Sequence, residues 1–149
     1  MTSSAPEPNA RAGLETLHPG QEFTPTPLDL SREAVVGLLD SIEATLPRDE
    51  NGVEIVPPSV MASLSLGVLL QHVSLPLGSL HASQEIRVLS PIPVGARALC
   101  EAVVANVSNR AGLTLVSLDF NVESYPDEAG GSRQLATGAG TVMFPAGTE

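Results

Sequence analysis

Carboxylates and imidazoles are the side chains that move protons near neutral pH, and this chain holds 17 Asp and Glu but three His. The imidazoles belong to His18, His72 and His81. The stretch 43–58, EATLPRDENGVEIVPP, combines Glu43, Asp49, Glu50 and Glu54 with an Asn-Gly turn and a double proline. It contains no histidine, and none occurs between residues 19 and 71. Asp49 or His81 is the candidate for such proton transfer. His81 has a second reading, as a residue that ties a turn. His72 ends a helical pattern, where a partial positive charge suits the helix dipole, and His18 reads as exposed. Cys100 is the one cysteine. Its neighbour Glu101 offers no activating positive charge, so it reads as a small core residue. One thiol makes neither an internal disulfide nor a thiolate metal site, so no metal is expected, and a reducing compartment is the default.

The elements that must position these groups follow from composition and period. With 149 residues and 42% hydrophobic content, the chain suits one domain with a real core. A net charge of −10 argues against nucleic acid and anionic membranes as partners. No stretch approaches the roughly 20 apolar residues of a membrane span. The expectation is a soluble cytoplasmic protein with a disordered tail over residues 1–15 and a single domain over 16–146.

Gln21 to Thr26 fits a short edge strand. In SREAVVGLLDSIEATL, Ser31 is a plausible N-cap, and Val35, Leu38, Leu39 and Ile42 make one apolar helical face. Pro57 and Pro58 then introduce SVMASLSLGVLLQH, which carries no charge from Ser59 to Gln71 and has apolar residues on most faces. Such a helix is expected to be buried on nearly all sides. The second half changes period. Strands are expected in the run from His81 to Leu89, in ARALCEAVVANVS, in LTLVSLDFNVE and in QLATGAGTVMF. SNRAG and PDEAGGS supply hairpin turns. A short strand, a helix, a buried helix and four antiparallel strands predict an α+β fold, a long buried central helix wrapped by a curved antiparallel sheet. This is the hotdog arrangement, with another α+β sandwich as the alternative. Ala136, Gly138, Ala139 and Gly140 in the last strand are expected to let the helix lie close.

From about Leu17 to Pro145 the chain resembles the MaoC-like hydratase/dehydratase family. The resemblance is carried by LHPGQEF with LSREAVVGLLDSI, by VPPSVMAS, by LHASQEIRVLSPIPVGARA and by LATGAGTVMFP. It implies a hotdog domain that hydrates trans-2-enoyl thioesters or dehydrates (3R)-hydroxyacyl thioesters on CoA or acyl carrier protein, in fatty acid metabolism, with no cofactor. A carboxylate and an imidazole share one water there, and amides at the start of the buried helix suit the thioester oxygen. Ser59, as N-cap or ligand donor, with Val60, Met61 and Gln84, are the positions implied for substrate binding. In the family's pattern G-D-x-N-P-x-H, anchored on Pro47, this chain places Ala44 at the Asp, Leu46 at the Asn and Asp49 at the His. Ser90 stands in the family's arginine position.

The resemblance thus points to a non-catalytic or accessory acyl-binding subunit, paired with a second hotdog subunit as homodimer or heterodimer. The alternatives are an active hydratase using His81 or Asp49, an acyl-CoA thioesterase, and a plain acyl-ligand binder or regulatory module. The central helix holds no Asp or Glu, which counts against the thioesterase.

Overall fold

The computed structural model of the chain describes residues 12–13, 16–74 and 78–145. Most of the expected tail lies outside these residues. The elements run β1 (Ala12–Gly13), β2 (Thr26–Leu28), α1 (Arg32–Ser41), α2 (Pro58–His72), β3 (Val73–Ser74), β4 (Leu80–Val88), β5 (Ala98–Arg110), β6 (Leu113–Ser124) and β7 (Gln134–Pro145). Five strands form one antiparallel sheet in the order β2-β5-β6-β7-β4. β1 and β3 make a separate parallel pair. Among the described residues no helix is long and apolar enough to cross a membrane.

The strict alternation of β6 dictates which side of the sheet is covered. Val116, Leu118, Phe120 and Val122 are all buried, while Asp119 between them is exposed. Opposite them on β5, Cys100, Ala102 and Val104 continue the same inner face. α2 lies on this face with Val60, Met61, Ser65, Val68 and Leu69 buried. The two-residue turn between β5 and β6 places Ala111 and Gly112 at φ 49° and 79°, the positive-φ pair that matches strand twist in a tight hairpin.

Four expectations need correction. α2 is buried along one face and not on nearly all sides: Ser59, Ser63, Leu70 and Gln71 are exposed. Its apolar residues outnumber those that one curved sheet reaches. Ile42 does not join the apolar face of α1. The helix ends at Ser41, Ile42 is its C-cap, and the side chain is 60% exposed. The small residues of β7 serve neighbours within the sheet. A Cβ on Gly138 would stand 2.6 Å from the Glu85 carbonyl oxygen of β4, and one on Gly140 would stand 3.3 Å from the Phe120 ring. The first short strand is also displaced, since Glu22 makes a single bridge to Val103 and the strand proper is Thr26–Leu28. Ser31 caps α1 as expected, its side chain accepting from Ala34 N–H at 3.2 Å.

Gly138→Ala is therefore expected to destabilise the chain by about 1–3 kcal/mol, the usual cost of overpacking. Urea denaturation compared with wild type measures it. An unchanged midpoint would show that β4 yields at no cost.

Candidate functional site

The carboxylate-rich loop is built by side-chain and backbone bonds that leave few of its groups unused. At the end of α1, Glu43 N–H donates to Asp40 O at 3.2 Å and Ala44 N–H to Leu39 O at 2.9 Å. With Glu43 at φ 55°, this is the Schellman closure of a helix, with a non-glycine residue in the left-handed position. Ala44 and Leu46 are half-buried and pack against the core. Asp49 then organises the Asn-Gly turn: one carboxylate oxygen accepts from Asn51 N–H and Val53 N–H, both at 2.9 Å. Gly52 N–H donates to Asp49 O at 3.0 Å. Asp and Asn fold turns in this way because a short side chain reaches the amides just ahead.

The hairpin is fastened on two sides. Glu54 takes Arg32 of α1 at 3.0 Å and Arg48 at 3.4 Å, and these partners hold its carboxyl below the ordinary value of 4.5, the Arg32 hydrogen bond being the largest cause. Arg48 also donates to Gly52 O at 2.9 Å. On the other side Val56 N–H donates to Ile92 O at 2.8 Å and Val94 N–H to Glu54 O at 3.0 Å. The loop is thus a strap from α1 to the turn before β5.

The strap delivers the chain into α2. Pro57 is the N-cap and makes no side-chain cap bond, so Ser59 is not the cap. Pro57 and Pro58 have no N–H, and the amides of Val60 and Met61 both donate to Pro57 O. Among the described residues Ser59 N–H has no partner, and it is the open donor of the first turn. Val60 and Met61 are buried in the core. Gln84 of β4 donates its side-chain amide to Ala62 O of α2, so Ser59, Val60, Met61 and Gln84 gather around the first turns of α2. Asp49 shares no hydrogen bond with Ser59 or Gln84. His81 lies at the start of β4, opposite Val142 and beside the register shift between His81 and Ser83.

His72 is not a helix cap. Its Nε2 shares a hydrogen bond with Thr26 Oγ1 at 2.8 Å, and that hydroxyl also reaches Thr24 O at 3.0 Å. The ring also stacks on Phe23 at 5.5 Å. His18 is exposed, as read. Cys100 is fully buried, and burial pushes its thiol up to about 11, against a smaller pull from the nearby Ser65 hydroxyl. Ser65 Oγ and Ser90 Oγ are buried without a hydrogen-bond partner among the described residues. Among those residues no group of three or more His, Cys, Asp and Glu is placed to hold a metal ion.

No protein-family profile matches the chain, and no curated protein does. Solved structures do. An (R)-hydratase from A. caviae involved in PHA biosynthesis superposes with a TM-score of 0.65 at 19% identity, over 86% of this chain and 97% of that one. The C-terminally truncated HadBC (3R-hydroxyacyl-ACP dehydratase) complex from Mycobacterium tuberculosis gives 0.64 at 15%, over 88% and 100%. A hot-dog-like protein from Thermanaerovibrio acidaminovorans gives 0.55 at 17%, over 89% and 87%. The chain has the hotdog fold. In this hotdog domain α2 is the central helix, and its first turns with Gln84 are the candidate binding region. Sequence reasoning found the Asn-Gly turn but not Asp49 as its organiser, although D-x-N-G carries that signal, and it missed the His72–Thr26 bond, which pairs residues 46 positions apart and has no local signal.

Two outcomes follow. Glu54 has a depressed folded value, so its contribution is present above its unfolded value and is lost as pH falls through the folded one. Acid titration below 4.5 is expected to destabilise wild type more steeply than Glu54→Gln, as read by thermal melts. Parallel curves would remove the carboxylate's role in the strap. The Cys100 thiol is expected to resist alkylation at about pH 8 until denaturant unfolds the chain. Fast labelling of the native protein would show the core to be open.

Proposed function

We propose that this chain is a MaoC-like hotdog subunit of fatty acid metabolism that binds an acyl thioester, on CoA or acyl carrier protein, without itself performing the proton transfers. It acts in the cytoplasm, paired with a second hotdog subunit, as a non-catalytic or accessory partner. The observation that carries this reading is the use made of the loop after α1. Where the resembling enzymes place their acid and base, Ala44 closes a helix, Leu46 packs against the core and Asp49 holds a turn. The loop is committed to structure.

The thioester part rests on the first turns of α2. Hydration or dehydration of a thioester builds negative charge on its oxygen, and an unpaired amide at a helix start answers that charge. Ser59 N–H is such a donor, about one turn before the Ala62 carbonyl that holds Gln84. The partner part draws on the similar HadBC dehydratase, which is a complex.

The test is a pair of measurements on the purified full chain. Calorimetry with a saturated acyl-CoA is expected to show binding, and assays with crotonyl-CoA and longer enoyl-CoA substrates are expected to show no hydration. Turnover abolished by His81→Ala or Asp49→Ala would establish the active-hydratase alternative. Release of free thiol from acyl-CoA would establish a thioesterase. Absence of any thioester binding would overturn the proposal.

A further inference from the structure

The chain has one tyrosine, three phenylalanines and no tryptophan. Phe23, Phe120 and Phe144 are buried in the core, whereas Tyr125 is half-buried just past the end of β6. Tyr125 N–H donates to Arg97 O at 3.1 Å, which ties the two residues side by side. The Arg97 guanidinium lies 4.5 Å from the centre of the Tyr125 ring, within reach of cation–π attraction. Among the described residues that guanidinium makes no hydrogen bond and no ion pair, so its five N–H donors are open. The ring holds the charge in place, and the fold makes no use of its donors.

Arg97 and Tyr125 line a groove of about 280 Å³. Leu28, Asp29 and Leu30 line it from the turn between β2 and α1, and Gly95 and Ala96 from the turn before β5. The two turns are clasped together, since Gly95 N–H donates to Leu30 O at 2.7 Å. The groove is therefore set before any ligand arrives, as small-molecule sites usually are. Leu28 and Leu30 are buried and give it an apolar base. Asp29 is exposed, and one of its oxygens accepts from Ser31 N–H at 3.1 Å. A carboxylate has further lone pairs, so Asp29 keeps acceptors for a ligand. The volume lies just under the range of sites that enclose a whole small molecule, roughly 300–1,000 Å³, and suits one ring system with its substituents outside.

Three kinds of group thus meet in one small space: an aromatic ring carrying a cation, a carboxylate and an apolar base. Each answers one part of a nucleotide. A nucleobase is planar and stacks on aromatic rings and guanidinium planes. A carboxylate accepts from ribose hydroxyls. A guanidinium takes a phosphate through two parallel bonds. An aliphatic ligand would leave both charged groups unanswered, and a cationic one would meet Arg97.

We infer that this groove is a nucleotide site, with the base on Tyr125 and Arg97, the ribose at Asp29 and the phosphate on the N–H edge of the guanidinium. The occupant is either a free nucleotide or the nucleotide end of coenzyme A. The second source rests on the thioester reading above. The turn that carries Gly95 is joined to the strap into α2, through Val56 N–H to Ile92 O and Val94 N–H to Glu54 O. The groove and the open Ser59 amide are linked through that strap.

With one tyrosine and no tryptophan, the tyrosine emission of the full chain reports this groove alone. Titration with AMP is expected to change that emission, with binding measured in parallel by calorimetry. Tyr125→Ala and Arg97→Ala are each expected to weaken binding about tenfold or more. Tyr125→Phe keeps the ring and is expected to stay within about threefold of wild type. Arg97→Lys keeps the charge but loses the fork, and is expected to behave as Arg97→Ala does. Thermal melts of the exposed Arg97 variants are expected to match wild type, which separates lost binding from lost folding. A saturated acyl-CoA and the matching acyl-phosphopantetheine distinguish the sources. If Arg97→Ala weakens the first and not the second, the occupant is the end of coenzyme A. If it weakens AMP and leaves acyl-CoA unchanged, the occupant is a free nucleotide. Wild type that gives no AMP signal, or variants that bind AMP as wild type does, overturn the site and leave the thioester reading standing. AMP binding of the expected pattern without binding of either thioester keeps the site and removes the thioester reading.

Discussion

The apolar contact between α2 and the inner face of the sheet decides where everything else in this chain can be. Val60, Met61, Val68 and Leu69 are almost wholly withdrawn from water, each contributing about 1.5–3 kcal/mol relative to exposure. A single layer of five strands reaches around only part of a helix, and the remaining side of α2 carries Ser59, Ser63 and Leu70 in solvent. That contact also fixes the entrance to the helix. Pro57 and Pro58 contribute no N–H, the next two amides fold back on Pro57 O, and one donor is left open at the site where the buried rod meets the surface.

The loop between α1 and α2 answers to the same contact. It must carry the chain from the C-terminus of one helix to the start of another that is already pinned. It does so with local bonds: a Schellman closure, an aspartate-centred turn, a carboxylate held between two arginines and two backbone bonds to the turn before β5. The ion pairs are exposed and individually weak. The strap depends more on its backbone bonds and on Val56, which is buried.

Much of this was legible where burial imposes a period. The alternation from Val116 to Val122 reads directly as one buried and one open face, because a strand has only two sides. Ser31 announced a helix start through a bond three residues long. The hotdog arrangement followed from one uncharged helix and four strands. The failures share a cause. Ile42 satisfies the helical spacing, yet the chain has already turned out of the helix there, and spacing does not say where a helix stops. The uncharged face of α2 reads as buried because sequence counts apolar residues and not the sheet available to cover them. Gly138 reads as room for the helix, whereas the backbone of the adjacent strand is what leaves no room for a side chain. Asp49 carries a role that residue type alone does not show, the bonds of one carboxylate oxygen to the amides of Asn51 and Val53. The parallel pair of β1 and β3 involves two residues on each side, too few to carry any pattern.

The scaffold distinguishes the core from the loop between α1 and α2. The core is built chiefly from α2, β5, β6 and β7, and the loop packs on its margin. Ala44, Leu46 and Asp49 of this loop contribute packing and turn bonds. The polar groups at the start of α2 are of another kind. Ser59 N–H belongs to the backbone of α2, and Gln84 is held by Ala62 O of the same helix. These persist as long as the helix is seated, whatever the loop contains. The open donor at the start of α2 and the Gln84 bond are therefore set by how the helix is seated on the sheet.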